Sequence, residues 1–200
     1  MEKILIIGAG GHARSCIDVI QSEEKYEISG LIVNKNTNQK NCSKYKIIGT
    51  DDDLLNIRKK IRNAHIGIAH MGSIKIRERI ISNLIAMNFN FPAIKSKESY
   101  VSSLSKIKSG SAIMHGCIIN AFSSIGSFSI INTGSIIEHD VIIGKNCHIA
   151  PGTIINGGVK IGNNVFIGSG SIIHQEIEIP KNSIIPSSSL VNKRFFDEKE

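Results

Sequence analysis

The sequence predicts two architectures in one chain: a small α/β unit with a parallel sheet, followed by a parallel β-helix. Two observations carry this. Residues 1–95 alternate short β-branched runs with helical periods, whereas residues 96–192 hold a strict period of six. A third observation is negative, since the second half shows no helical period at all.

The α/β unit reads as follows. Lys3–Ile7 (KILII) is a buried strand and Gly8-Ala9-Gly10-Gly11 a turn. His12–Ser22 is a helix with Ala13, Cys16, Ile17 and Ile20 on one face. Ile28–Val33 is a second strand, Asp51–Arg62 a helix entered through an acidic first turn, His65–Ala69 a third strand and Ile74–Met87 another helix. Phe89–Ile94, with Pro92, leads out.

From Val101, every sixth residue to Val191 is Val or Ile, without a slip. Four places after most of these stands a small or β-branched residue, such as Ser111, Cys117, Ser129, Val141, Cys147 or Thr153. Each six residues make one short strand and one turn, and three sides close a coil of 18 residues. No single repeat buries its own apolar face, so the stacked isoleucines form one continuous core. Glycine recurs one place after the ladder residue, at Gly126, Gly144, Gly162 and Gly168, where a turn with φ > 0 is expected. Residues 193–200 form a charged tail that either packs as a short helix or stays irregular.

Composition narrows the function. The net charge is +7, with the basic residues dispersed along helical faces in the first half. No aromatic platform and no recognition motif accompanies them, so nucleic acid is not the expected partner. An acidic small molecule is. No apolar run is long enough for a transmembrane helix. The N-terminus runs into glycines rather than a cleavage site, and the four cysteines lack C-x-x-C spacing. A cytoplasmic protein with reduced thiols and no metal site is expected.

Three motifs carry chemistry. Gly8, Gly10 and Ala13 fit G-x-G-x-x-A after a strand and at the start of a helix, a dinucleotide fingerprint whose helix N-terminus attracts phosphate. The acid expected at the end of the second strand is missing, since Val33-Asn34-Lys35 stands there. Glu138-His139-Asp140 interrupts the ladder at a turn. A histidine there is either a solvated turn residue or a general base, with Glu138 or Asp140 fixing its tautomer. His148 follows on the next side of the coil, and is equally readable as a turn residue.

ILIIGAGGHAR, NTGSIIEHDVIIG and CHIAPGTIINGGVKIGNNVFIGSGSII together resemble the NeuD/PglD group of sugar O- and N-acetyltransferases, within the left-handed β-helix acyltransferases. The resemblance spans about residues 1–190. It implies a left-handed helix, a homotrimer with active sites between subunits, and acetyl-CoA as acyl donor. It implies an acceptor that is a nucleotide-linked amino sugar or a nonulosonic acid of the sialic or legionaminic type, in bacterial surface-glycan synthesis. By the same resemblance His139 is the base and Glu138 its orienting partner. Asn132 contacts the acceptor, and Gly10, Gly11 and His12 bind the sugar substrate. His148, Gly157, Gly168 and Ser169 line the acetyl-CoA site; the glycines equally suit the turns. Relatives acting on uridine-linked sugars often carry an Asp pair where Asn34-Lys35 stands. His70, at the end of the third strand, is expected to face the ligand cleft, either reading substrate or capping the next helix. A nicotinamide-dependent enzyme and a non-catalytic β-helix binding protein are the alternatives.

Overall fold

The computed structural model describes residues 1–36, 41–42, 44–70 and 74–195. The α/β unit comprises β1 (Glu2–Ile7), α1 (Gly11–Glu23), β2 (Tyr26–Val33), β3 (Asn41–Cys42), β4 (Tyr45–Thr50), a 3-10 turn at Asp51–Asp53 running into α2 (Leu54–Arg58), β5 (Asn63–Ile66) and α3 (Lys75–Ala86). The sheet order is β3-β4-β2-β1-β5, parallel except for the β3–β4 hairpin. Ile4, Leu5, Ile6 and Ile7 are buried together because β1 is central and covered on both faces.

Two details depart from expectation. The helix expected over Asp51–Arg62 breaks into a 3-10 turn and α2, ending at Arg58. The Arg58 guanidinium turns away to the Asn88 carbonyl, and Lys59 and Lys60 have nothing apolar to bury. The β3–β4 hairpin was not apparent, although β4 pairs with β2. The tail beyond Phe195 lies outside the described residues.

The second half is a parallel β-helix of the left-handed class. Its two-residue strands stack into three sheets of six, five and six strands, with each residue paired to the one 18 further on. Ile94–Lys95 already pairs with Ala112–Ile113, so the first strand of the helix starts within the expected junction. The ladder residues Ile113 to Val191 are buried to within 3%. At about 2 kcal/mol per buried isoleucine, this column outweighs any other contribution to the domain. Inward hydroxyls are satisfied: Ser111 Oγ donates to the Gly126 carbonyl at 2.8 Å and Ser129 Oγ to that of Gly144 at 2.8 Å.

The turns obey a rule that differs from the expected one. Left-handed φ values recur every six residues, three places after the ladder residue: Gly110, Gly116, Phe122, Phe128, Gly134, Asp140, Asn146 and onward to Ser188. Gly126, Gly144, Gly162 and Gly168, one place after it, lack positive φ. They are glycines because a Cβ would stand 2.3–2.6 Å from the backbone of the next coil.

The three faces differ. One carries Ile94, Ala112, Ile130, His148 and Phe166 and is largely covered by the α/β unit. The second carries Lys106, Ser124, Ile142, Lys160 and Glu178. The third is a stacked apolar column of Tyr100, Ile118, Ile136, Ile154, Ile172 and Leu190, of which Tyr100 is 59% and Leu190 55% exposed.

Candidate active site

His139 stands at the corner between the apolar face and the Lys/Glu-bearing face. Its Nδ1 lies 2.9 Å from Asp140 Oδ2, with both side chains well exposed. The left-handed backbone of Asp140, φ 61°, brings that carboxylate back to the ring. Nδ1–H donates to Asp140, which leaves Nε2 unprotonated with its lone pair unused, as a base requires. Glu138, the expected partner, instead accepts from Asn120 Nδ2 at 3.0 Å on the neighbouring coil. It points along the wall because residue 138 starts the turn while residue 140 has the left-handed conformation. Glu138, His139, Asp140, Asn156, Gly157, Gly158, Gln175 and Glu176 line a groove of about 550 Å³. Phe122, exposed and one coil before Asp140, was not singled out from the sequence.

Asn132 stands at the opposite edge of the apolar face, at the corner shared with the covered face. Its Nδ2 donates to His148 Nε2 at 3.0 Å. His148 Nδ1–H donates to the His70 carbonyl, so both ring nitrogens are occupied and the ring is neutral. Burial pushes His148 down to about 4, against the opposing pull of the His70 carbonyl. His148 is 5% exposed and packs edge-on against Phe166, with centroids 5.3 Å apart. The structure thus places His148 beneath the α/β unit rather than in an open groove, with its contact to Asn132 as its link to the corner.

His70 corrects its expectation. Strand β5 ends at Ile66, and His70 is 1% exposed in the following loop. Its Nε2 meets the Asn164 carbonyl at 3.3 Å and its ring lies 5.9 Å from Phe166. It ties the α/β unit to the β-helix, neither facing an open cleft nor capping α3. Arg77, expected with the other dispersed basic residues on a solvated helical face, is instead buried and does the same: its guanidinium donates to Asn146 Oδ1 at 2.9 Å, the Ile68 carbonyl at 2.7 Å and the Phe128 carbonyl at 2.6 Å. Burial lowers it to about 10.

Gly10 and Gly11 open α1 with exposed backbone, and nothing stands within 4 Å of where a Gly10 Cβ would be. No acidic residue and no side-chain cap occupy the first turn, so its N–H groups are available to an anion. His12 Nε2 faces the Cys16 thiol at 3.4 Å, and burial, with His148 and Arg77 nearby, holds His12 down to about 3. At the end of β2, Asp51 Oδ2 accepts from Asn34 Nδ2 at 3.3 Å and Asp52 lies 3.6 Å from Lys35 Nζ. Carboxylates therefore do reach the position where the sequence showed none, delivered by the β4–α2 turn. Sequence proximity alone could not find them. Gly168 is explained by the approach of Ser187, whose backbone N would lie 2.3 Å from its Cβ, and Ser169 is an exposed turn residue.

The predicted site residues thus fall into two sets flanking the apolar face. Glu138, His139 and Gly157 occupy one edge. Asn132, Gly168 and Ser169 occupy the other, with His148, His12, Gly10 and Gly11 beside it. Among the described residues, no cluster of three His, Cys, Asp or Glu side chains suits a metal ion, and no helix is long and apolar enough to cross a membrane.

Residues 3–84 match the family described as the PglD N-terminal domain, and residues 122–157 match that described as bacterial transferase hexapeptide (six repeats). No curated protein matches the sequence. Among solved structures, the chain is similar to the acetyltransferase domain of PglB from Neisseria gonorrhoeae in complex with acetyl coenzyme A, with TM-score 0.85 and 24% identity over 96% of this chain and 91% of that one. It is similar to WeeI from Acinetobacter baumannii, with TM-score 0.83 and 22% identity over 96% and 92%. A mutant of perosamine N-acetyltransferase from Caulobacter crescentus, in complex with CoA and GDP-perosamine, gives TM-score 0.73 and 24% identity over 89% and 91%. The resemblance in the sequence motifs and the fold are borne out.

Proposed function

We propose that the chain, with a PglD-type N-terminal domain joined to a bacterial-transferase hexapeptide helix, is a hexapeptide-repeat transferase that moves acetyl from acetyl-CoA to an amino sugar. The observation that carries the reading is the His139–Asp140 pair, which leaves Nε2 unprotonated, on a rigid wall.

The chemistry follows from that geometry. The acceptor's neutral amine attacks the thioester carbonyl, and His139 Nε2 takes the proton the nitrogen must lose. Asp140 stabilises the resulting imidazolium. The tetrahedral intermediate collapses, the carbon–sulfur bond breaks, and the imidazolium returns the proton to the CoA thiolate. The products are the N-acetyl sugar and CoA. A hydroxyl acceptor follows the same balance to an ester. The relatives solved with CoA and GDP-perosamine, and with acetyl coenzyme A, support this choice of donor and of a nucleotide-linked amino sugar. The free N-terminus of α1 at Gly10 and Gly11 suits the sugar nucleotide's phosphates, and Asp51 and Asp52 suit its ribose hydroxyls. A nonulosonic acid would use the same helix end through its carboxylate.

A second copy supplies what one chain separates. Rotational packing of copies on the column Tyr100 to Leu190 would bury it and set the His139 edge of one copy against the Asn132 edge of the next. We therefore read the active unit as a homotrimer in the cytoplasm, with each site shared by two subunits. The nicotinamide reading weakens because the described sheet ends at β5, without a second nucleotide half.

The test is thiol release from acetyl-CoA with GDP- and UDP-linked 4-amino sugars and free nonulosonic acids. Release with an amino sugar is expected. Silence across the panel contradicts the reading.

A further inference from the structure

Glycines of the β-helix have two evident causes, and Gly157 has neither. Glycines three places after the ladder residue have left-handed φ, as at Gly158 with φ +71°. Those one place after it would clash with backbone of the next coil. Gly157 is two places after Ile155 and its φ is not left-handed. The same turn position elsewhere accepts side chains of every size: Ala121, Gln175 and Lys193 at this corner, Thr133 and Pro151 at another. Coil geometry therefore does not require glycine there.

What requires it is the imidazole. A Cβ on Gly157 would stand 2.6 Å from His139 Cε1, 2.8 Å from Nε2 and 3.3 Å from Nδ1, and these are its three nearest atoms. The Cε1–Nε2 edge of the ring rests against the bare backbone of the next coil. We propose that Gly157 is a positioning residue for His139: its missing side chain is the bed that lets the ring lie against the wall while Nδ1 faces Asp140. This deepens the acetyl-transfer reading and rests on His139 being its base. A methyl group at residue 157 lifts the Cε1–Nε2 edge, and the rotation that relieves the clash breaks the 2.9 Å bond to Asp140. The tautomer is then unfixed and Nε2 is no longer aimed at one point.

The test uses the full chain with Gly157→Ala, whose backbone remains allowed. Long-range nitrogen–proton NMR of histidine, with the His139 signal assigned by its loss in His139→Gln, reads the tautomer directly. The native protein should show one tautomer with the proton on Nδ1, and Gly157→Ala an average of two. In kinetics, kcat should fall by about tenfold or more with the acetyl-CoA KM unchanged. In thermal unfolding, Gly157→Ala should lower Tm in the native background and leave it unchanged in the His139→Ala background. An acetyl-CoA KM that rises with kcat unchanged would make Gly157 a wall of the donor site and overturn the proposal. So would equal loss of Tm in both backgrounds, or an unaltered histidine spectrum. If the native protein transfers no acetyl group, the functional reading fails while the NMR and thermal results still decide the role of Gly157.

Discussion

His139 and His148 sit on the same β-helix, nine residues apart, and share almost nothing else. His139 is exposed, with one nitrogen bonded to Asp140 and the other open. His148 is buried beneath the α/β unit, with both nitrogens occupied and its protonation pushed down to about 4. The β-helix fixes both backbones equally well. What differs is the cover: a histidine under a second domain becomes part of a joint, and one left bare keeps a lone pair for chemistry.

The comparison can be broken first on the buried side. Arg77→Ala removes three hydrogen bonds from a charged donor and leaves Asn146 Oδ1 and two carbonyls unpaired. A loss of about 3–5 kcal/mol in urea unfolding is expected. A loss below about 1 kcal/mol would show that Arg77 is no staple.

On the exposed side, Asp140→Asn should lower kcat by about ten- to a hundredfold, since the carboxylate that fixes the tautomer and steadies the imidazolium is gone. Glu138→Gln keeps its bond from Asn120 and should change kcat by less than about threefold. The reverse order would restore Glu138 as the partner.

The joint should also respond to acid. Unfolded histidine titrates near 6.5, whereas burial holds His12 down to about 3 and His148 to about 4, and His65 of β5 behind them also to about 3. The unfolded chain therefore binds more protons below 6.5. Stability is full above that pH and declines as the pH falls toward 4, by about 1.4 kcal/mol per pH unit for each group. Urea unfolding between pH 7.5 and pH 4.5 checks this, and His148→Gln should flatten the slope by about one group's share. A slope unchanged in that variant would count against the burial argument.

The smallest effect belongs to a second joint. His115 Nε2 meets Asp18 Oδ2 at 3.0 Å and His115 Nδ1 meets Ser96 Oγ at 2.6 Å, tying α1 to the first coil. Asp18 is exposed, so Asp18→Asn should cost under about 1 kcal/mol. A thermal scan that shows a larger loss would mark this contact as essential to docking.

The period of six was fully legible because each inward isoleucine is buried by the next coil, and β1, α1, β2 and α3 were legible from their apolar periods. The glycine rule was half legible. Sequence shows that Gly126 and its kin recur, but whether φ or a neighbouring coil demands them depends on backbone 18 residues away. The choice of Asp140 over Glu138 was hidden for a related reason, since it turns on one left-handed residue. The burial of His70 and His148 depends on how the α/β unit docks, which no local pattern encodes. Asp51 and Asp52 reached the end of β2 through a turn that reads as an ordinary acidic helix start.

The most direct test of the account is the rate of acetyl transfer from acetyl-CoA to a nucleotide-linked 4-amino sugar by His139→Ala, with folding verified by its thermal transition. A fall of about 10²–10⁴ in kcat, with native-like unfolding, is predicted. A variant that keeps the native rate would contradict His139 as the base, and with it the claim that the bare corner of the helix is where the chemistry occurs.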